Sequence, residues 1–153
     1  MGCHVRGGRV NLVLIISPQA IDFVESRVKH YGFDQPCGIA IIKNDKLIGG
    51  VVFDNYRPSA KTVSVSIALD DKRALDRESL RLLFDYGFNQ LQCNRMTTMI
   101  DSENDKSIKL CSSLGFVQEG CLRSASPTGN DLVIFGMLKE ECKWLFYKDI
   151  SGF

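Results

Sequence analysis

Cysteine and histidine are the residue types in this chain that most often carry nucleophilic or metal chemistry. The six cysteines are widely separated, and no two of them form a Cys-x-x-Cys pair. The two histidines, His4 and His30, lie in no recognisable nucleophile motif, whereas a catalytic thiolate needs an activating base. The sequence therefore predicts reduced thiols, several packed as small apolar side chains, with no zinc site and no cysteine nucleophile. These cysteines are Cys3, Cys37, Cys93, Cys111, Cys121 and Cys142.

Length and composition restrict the class of protein that could position any such chemistry. The chain has 153 residues, of which 44% are hydrophobic, enough for one globular core and too many for a disordered chain. Its formal net charge is +1, so no general positive field attracts nucleic acid. The longest apolar run, residues 10–16, is far shorter than the ~20 residues that span a bilayer. We therefore expect one soluble, cytoplasmic domain over residues 1–153, with no membrane partner.

Hydrophobic periodicity predicts the strands and helices. Residues 62–69 alternate between apolar side chains (Val63, Val65, Ile67 and Leu69) and small, mostly polar ones, which is the period of a strand. In residues 76–91, a capping Asp76 precedes apolar residues at helical spacing up to Leu91. Seven strands are predicted, over residues 10–16, 38–43, 47–53, 62–69, 95–100, 116–123 and 131–138. Helices are predicted after residues 17–18, over 76–91, after the capping residues 101–104, and around 140–146.

The order of these elements narrows the fold class. From the amino terminus it is β, α, β, β, β, α, β, α, β, β. Strict alternation of strands and helices would indicate a doubly wound parallel sheet, whereas consecutive strands indicate antiparallel pairing. We therefore predict an α/β protein of the α+β kind, with a mixed sheet interrupted by helices.

Residues 104–123 carry a family pattern. They read Asn104-x-x-Ser107-Ile108-x-Leu110-x-x-x-Leu114-Gly115-Phe116-x-x-Glu119-Gly120-x-x-Arg123. This pattern is similar to the fourth-helix and sixth-strand signature of the GNAT acyl-CoA N-acyltransferases, especially those that acetylate ribosomal protein N-termini. Residues 48–58 and 137–145 resemble a GNAT group often carried by bacteriophages and prophages. The resemblance covers about residues 38–145 and implies the GNAT fold, a mostly antiparallel seven-stranded sheet flanked by helices and splayed between its fourth and fifth strands.

The resemblance implies acetyl-CoA as the acyl donor, bound in that gap between residues 62–69 and 95–100. Unpaired backbone groups would hold its pantetheine arm as an added strand. In the family these groups map to Ile67, Ala68 and Leu69. The donor needs no metal.

The pyrophosphate of the donor would sit at the N-terminus of the following helix, where amide groups and the helix dipole favour an anion. The family loop has Arg or Gln, then Gly, then Gly or Ala, and those places fall here on Asp71, Ala74 and Asp76. Basic side chains of Lys72, Arg73 and Arg77 would compensate for the missing glycines; the alternative is a solvated loop. The cofactor contacts so implied are Lys72, Arg73, Ala74, Leu75, Asp76 and Arg77.

The resemblance also assigns catalytic roles. Ser107 would protonate the leaving thiolate, and its alternative role is a hydrogen bond to its own helical turn. Asn104 would contact the cofactor arm, and its alternative role is a helix cap. A backbone N–H near Ile67 or Ala68 would polarise the thioester carbonyl.

The general base is missing from its usual place. Many relatives carry Glu on the fourth strand, where this chain has Ser64. Asp54, Tyr56 and Glu119 are the alternatives, or a water relay makes a base unnecessary.

The sequence therefore predicts an N-acetyltransferase that moves an acetyl group from acetyl-CoA to a primary amine by direct attack in a ternary complex. The alternative is a catalytically weak GNAT-fold binding module acting on a host protein or nucleic acid. A third hypothesis is modification of a nucleobase amine. The acceptor, whether protein N-terminus, small amine or nucleobase, would contact residues 30–36 and 124–130, and a homodimer is possible.

Overall fold

The computed structural model describes residues 2–7, 10–28, 32–71, 73 and 75–145, which form one sheet flanked by helices. Its strands are β1 Gly2–Gly7, β2 Val10–Ile16, β3 Cys37–Lys43, β4 Lys46–Arg57, β5 Thr62–Leu69, β6 Arg95–Asp101, β7 Val117–Leu122 and β8 Leu132–Leu138. Its helices are α1 Gln19–Arg27, α2 Arg77–Asp85 and α3 Asp105–Leu114, with a π-helical turn at Tyr86–Gln90 and a 3₁₀ turn at Lys139–Glu141. The strand order is β1-β2-β3-β4-β5-β6-β8-β7.

The predicted fold class is confirmed. All seven predicted strands are present, and β1 is an additional strand paired with β2. Adjacent strands are antiparallel except β5 and β6, which run parallel. The predicted splay lies between these two strands. Their pairing ends at Ser64 and Thr97, and the strands then diverge.

The prediction of a helix around residues 140–146 is wrong for residues 140–145. Only the 3₁₀ turn Lys139–Glu141 forms there, and Cys142 is already extended. Trp144 donates its indole N–H to the carbonyl oxygen of Leu114 at 2.9 Å. Cys142 is fully buried in the main core, so tertiary contacts hold this segment against α3 in place of a helix. Residues 146 onward lie outside the described part of the chain.

The helix at residues 77–90 departs from the predicted spacing in its last turn. Asp76 caps α2 as predicted, accepting the backbone N–H of Ser79 at 2.8 Å. Beyond Asp85 the backbone widens into the π turn, in which the N–H of Leu91 bonds to the carbonyl oxygen of Tyr86 at 2.9 Å. The extra residue per turn buries Phe88 completely and leaves Leu91 beyond the helix.

Helix α1 packs closely on the sheet at a glycine. A Cβ on Gly50 of β4 would lie 2.9 Å from the carbonyl oxygen of Ala20 and 3.1 Å from Cγ2 of Val24. Ala20 and Val24 are fully buried. Glycine is therefore required for this close approach, which also fixes the position of Arg27 at the end of α1.

Replacing Gly50 by alanine is expected to destabilise the protein by about 1–3 kcal/mol, because the added methyl group forces helix backbone away from the sheet. Urea unfolding measures this loss. Gly120→Ala is the matched control: its Cβ would meet only Cδ1 of Ile134, at 3.9 Å, so we expect it to be neutral or stabilising by up to about 1 kcal/mol. Equal stability of the two variants would contradict the close-packing argument.

The helices in the described part of the chain include none that is both long and apolar enough to cross a membrane.

Candidate active site

A cleft opens where β5 and β6 separate. It encloses about 420 Å³ and lies between the two strands, α3, the end of α1 and the loop of residues 124–131. Its lining combines apolar groups from the strands and α3 with polar groups at the rim. The lining includes Arg27, Ile67, Asp101, Asn104, Ser107, Cys111, Thr128 and Asn130.

The backbone of β5 presents only alternate residues to the cleft. The N–H of Asp70 donates to the carbonyl oxygen of Ile48 at 2.8 Å, and the register pairs Ala68 with Gly50. Because hydrogen-bonded pairs alternate along an antiparallel ladder, Ala68 directs its backbone groups to Gly50. Ile67 and Leu69 direct theirs to the other side, where β6 has diverged.

This alternation of backbone directions separates the three residues of β5 that were predicted to hold the cofactor arm. Ala68 belongs to the sheet through its backbone, and its side chain is buried with Val24 and Val52 under α1. Ile67 lines the cleft, whereas Leu69 presents its backbone beyond the cavity.

The first turn of α3 brings two predicted residues to the cleft. Asn104 caps the helix, its Oδ1 accepting the N–H of Ser107 at 3.2 Å. Among the described residues, none hydrogen-bonds to the Ser107 hydroxyl. Ser113 on the same helix does bond back, to the carbonyl oxygen of Leu110 at 2.7 Å. Asn104 is therefore a helix cap, the alternative predicted for it. The Ser107 hydroxyl does not form the alternative predicted for it, a hydrogen bond to its own helical turn.

Asp101, at the end of β6, holds the loop that forms one wall of the cleft. Its carboxylate accepts hydrogen bonds from the hydroxyls of Ser126 and Thr128 and from the amide of Asn130 at 3.1 Å. These bonds, that of Ser126 first, hold the pKa of Asp101 well below its usual range. Local spacing in the sequence assigns Asp101 only to a helix cap, since its partners in the loop lie 25 to 29 residues further along the chain.

The predicted pyrophosphate loop lies beyond the cleft. Its described residues, Asp71, Arg73 and 75–77, are not among those lining the cavity. Asp71 accepts the N–H of Arg73 at 3.0 Å, and this bond lowers the pKa of Asp71. The Arg73 side chain is 87% exposed, Arg77 is also exposed, and Leu75 packs against the core. Lys72 and Ala74 lie outside the described residues.

Arg27, at the end of α1, lines the cleft, and no pattern in the sequence indicated it. It bonds both carboxylate oxygens of Asp70, at 2.7 and 3.1 Å, and lies 3.4 Å from the ring centre of Phe23. The bond to Arg27 lowers the pKa of Asp70. Because Asp70 follows β5 and Arg27 ends α1, this ion pair joins α1 to the end of β5.

The three alternative bases have different surroundings. Glu119 forms a two-point ion pair with Arg95, which lowers the pKa of Glu119. The exposed Tyr56 donates its hydroxyl to the carbonyl oxygen of Leu91 at 2.8 Å. Asp54 is buried on β4 and accepts the N–H of Asp34 at 3.2 Å. It lines a second cavity of about 270 Å³, which also contains Ser64.

One of the described cysteines lies in the cleft. Five are free thiols, and Cys111 is the one that lines the cleft. Burial raises the pKa of Cys111 to about 12, so it is a thiol at neutral pH. Among the residues that the structure describes, no group of three or more His, Cys, Asp or Glu side chains is placed to hold a metal ion.

Comparisons with known proteins point to one family. The family model described as "Acetyltransferase (GNAT) domain" matches residues 16–117. An "uncharacterized N-acetyltransferase p20" of Bacillus licheniformis is 40% identical over 67 residues, which are 42% of this chain and 38% of the relative. A "probable N-acetyltransferase YjcK" of Bacillus subtilis (strain 168) is 30% identical over 90 residues, 56% of this chain and 50% of the relative. The chain thus spans half the length or less of these curated relatives.

Solved structures share the fold. A mutant of the spermidine N-acetyltransferase SpeG from Vibrio cholerae is similar with a TM-score of 0.71 at 17% identity, covering 88% of this chain and 96% of that chain. A "probable acetyltransferase" gives a TM-score of 0.70 at 16% identity, covering 91% of this chain and 98% of the other. At such identities the similarity concerns the fold alone.

Proposed function

Because the chain belongs to the GNAT acetyltransferase family, we propose that it moves an acetyl group from acetyl-CoA to a primary amine by direct attack in a ternary complex. The observation that carries this proposal is the cleft at the split of β5 and β6, with unpaired β5 backbone on one wall and Ser107 on the other. Acetyl-CoA supplies an activated thioester carbonyl.

The pantetheine arm would bind along β5. Ile67 and Leu69 direct their backbone groups away from β4, and β6 no longer pairs with them. An amide-bearing arm can therefore hydrogen-bond to β5 as an added strand. In this arrangement the backbone groups of Ile67 and Leu69 would bind the arm, whereas those of Ala68 pair with β4.

The chain's own groups would assist each part of the transfer. The N–H of Ile67 would bond the thioester oxygen, where negative charge develops. The hydroxyl of Ser107 would give a proton to the departing sulfur. Asn104 positions Ser107 by holding its backbone N–H.

The pyrophosphate would bind at the N-terminus of α2, to Lys72, Arg73, Ala74, Leu75, Asp76 and Arg77. The carboxylates of Asp71 and Asp76 accept the backbone N–H groups of Arg73 and Ser79, and Asp71 also pairs with the Arg73 side chain at 3.5 Å. The basic side chains would then contact the phosphates.

Calorimetric titration with acetyl-CoA tests this proposal, together with release of free thiol in the presence of spermidine, the amine named for SpeG. The double variant Arg73→Ala/Arg77→Ala is expected to weaken binding about 2- to 30-fold, since exposed ion pairs contribute about 0.2–1 kcal/mol each. Arg57→Ala/Lys109→Ala removes two exposed charges elsewhere and should bind normally. Absence of binding to the wild type at millimolar acetyl-CoA would refute the proposal.

One observation favours the alternative of a weakly catalytic binding module. The pyrophosphate loop has Asp76 at a place where the family carries Gly or Ala, and its carboxylate holds Ser79 through both the backbone N–H and the hydroxyl. Acetyl-CoA binding without release of thiol in the presence of any tested amine would support this alternative. The ribosomal-protein and phage-type resemblance and the homodimer stay predictions.

A further inference from the structure

The cleft contains a group of mostly apolar side chains that an acetyl group alone would not fill. They lie toward the apex of the split, where β5 and β6 stop pairing, and this part of the cleft is called the inner end below. We infer that the inner end binds the carbon chain of the acyl group and that the donor can carry acyl groups longer than acetyl, such as butyryl. The inference rests on the proposed transfer and names its class of donor. The side chains are those of Val65, Thr98, Ile100, Cys111, Leu114 and Phe116.

Helix α3 runs from the open end of the split to the level of its apex. It begins beside the end of β6, where the N–H of Asn104 donates to the carbonyl oxygen of Asp101 at 2.9 Å. It ends just before β7, whose Val117 pairs with Gly136 of β8. Gly136 in turn pairs with Thr97, the last residue of β6 that pairs with β5. The carboxyl end of α3 therefore lies level with the apex.

One face of α3 lines the cleft in this direction. Ser107, Cys111 and Leu114 all line it, and their spacing of four and three residues places them on one side of a helix. Cys111 lies one turn beyond Ser107, about 6 Å further along the helix axis. Leu110 also lines the cleft. Beyond the Ser107 hydroxyl, the helix thus contributes two leucines and a thiol that is neutral at pH 7.

The wall formed by the sheet continues toward the apex in the same way. Val65 on β5 lies two residues before Ile67, which is about 7 Å along the strand, and both line the cleft. Val65 belongs to the main core together with Ile100 and Phe116. The ring centre of Phe116 lies 6.2 Å from that of Phe84 on α2, so the core supports this wall from behind.

The proposed path of the donor directs its acyl group to the inner end. The pyrophosphate would bind beyond the end of β5, and the pantetheine arm would run back along Leu69 to Ile67. With the sulfur at Ser107, the acyl chain continues toward Val65 and Cys111. A butyryl group places two more methylene groups there than an acetyl group. Removing such groups from water into an apolar site favours binding.

The transfer of a longer acyl group uses the same bonds. The lone pair of the neutral amine forms a bond to the butyryl carbonyl carbon, and the carbon–sulfur bond breaks with its electron pair on sulfur. Ser107 gives a proton to the sulfur and recovers one from the nitrogen. The products are a butyramide and the free thiol of coenzyme A, with no net proton released.

Calorimetric titration of the wild-type protein with acetyl-CoA and with butyryl-CoA tests the inference without an acceptor. We expect butyryl-CoA to bind at least about 3-fold more tightly, since two fully buried methylene groups contribute up to about 15-fold. Thiol release with spermidine should then proceed with a kcat for butyryl-CoA within about 10-fold of that for acetyl-CoA, because the reacting bonds are the same.

The variant Cys111→Leu locates the gain in affinity. The added carbons occupy the inner end, so butyryl-CoA should bind no more than about 2-fold more tightly than acetyl-CoA, whose own Kd should stay within about 3-fold of wild type. Ser112→Leu makes a similar change at the next residue, which is exposed, and should keep the wild-type gain. If Cys111→Leu does not fold, Cys111→Val adds less volume and should still reduce the gain.

Three results would overturn the inference while the proposed transfer stands. One is a wild type that binds acetyl-CoA but gains less than about 3-fold from the butyryl group. Another is an undiminished gain in the folded Cys111 variant, which would place the chain elsewhere. The third is an equal loss of affinity for both donors in that variant, since the pantetheine arm would then occupy the inner end. A wild type that binds neither donor refutes the proposed transfer and this inference together.

Discussion

If Ser107 is the acid of the proposed transfer, we expect its replacement by alanine to lower kcat about 100- to 10,000-fold, the usual contribution of a positioned acid, while the Kd for acetyl-CoA stays within about 3-fold of wild type. The reason is that a thiolate leaves with its full charge when no proton is available at the sulfur. Ser107 lines the cleft, and no described residue occupies its hydroxyl. Thiol release under saturating acetyl-CoA measures kcat, and calorimetry measures Kd.

Ser113→Ala is the matched control for this prediction. Ser113 lies on the same helix, is exposed, and bonds back to Leu110, so its loss should leave kcat unchanged. If both serine variants have wild-type kcat, Ser107 is not the acid and water must protonate the sulfur.

Replacing Phe88 by alanine is expected to lower the free energy of unfolding by about 3–5 kcal/mol, the usual cost of emptying a buried aromatic site. Phe88 is fully buried in the main core, and its ring centre lies 6.4 Å from that of Phe84. The π turn that places it there also packs against Met96 of β6 at Gly87. Loss of the Phe88 ring should therefore also weaken the packing against β6 at Met96. Urea unfolding measures the change in the free energy of unfolding.

Gln90→Ala provides the comparison for Phe88→Ala. Gln90 belongs to the same π turn but is exposed, so its change should cost less than about 0.5 kcal/mol. Similar losses in both variants would mean that the π turn itself, and not the buried ring, determines stability.

Much of the fold follows from local patterns in the sequence. The alternation of residues 62–69 correctly predicts β5, with Val63 and Val65 in the main core. Asp76 caps α2, and Gly115 ends α3 with a positive φ of 108°, which glycine adopts without strain. These features depend on residues within one or two turns of each other. The C-terminal helix and the last turn of residues 76–91 were mispredicted because Trp144 and Phe88 are held by distant contacts.

At the candidate site, too, some features follow from neighbouring residues and others from contacts between distant ones. The sequence by itself determined the order of the strands and helices along the chain, the caps and the placement of Asn104 and Ser107 at the start of α3, since each is set by neighbouring residues. Only the tertiary structure decided that Ile67, and not Ala68, faces the cleft, because that depends on the hydrogen-bonding phase between β4 and β5. It also decided that Asp54 lies beside Ser64 and that Asp101 holds residues 126–130. Pairing register and loop closure join residues far apart in the chain, so local propensity does not predict either.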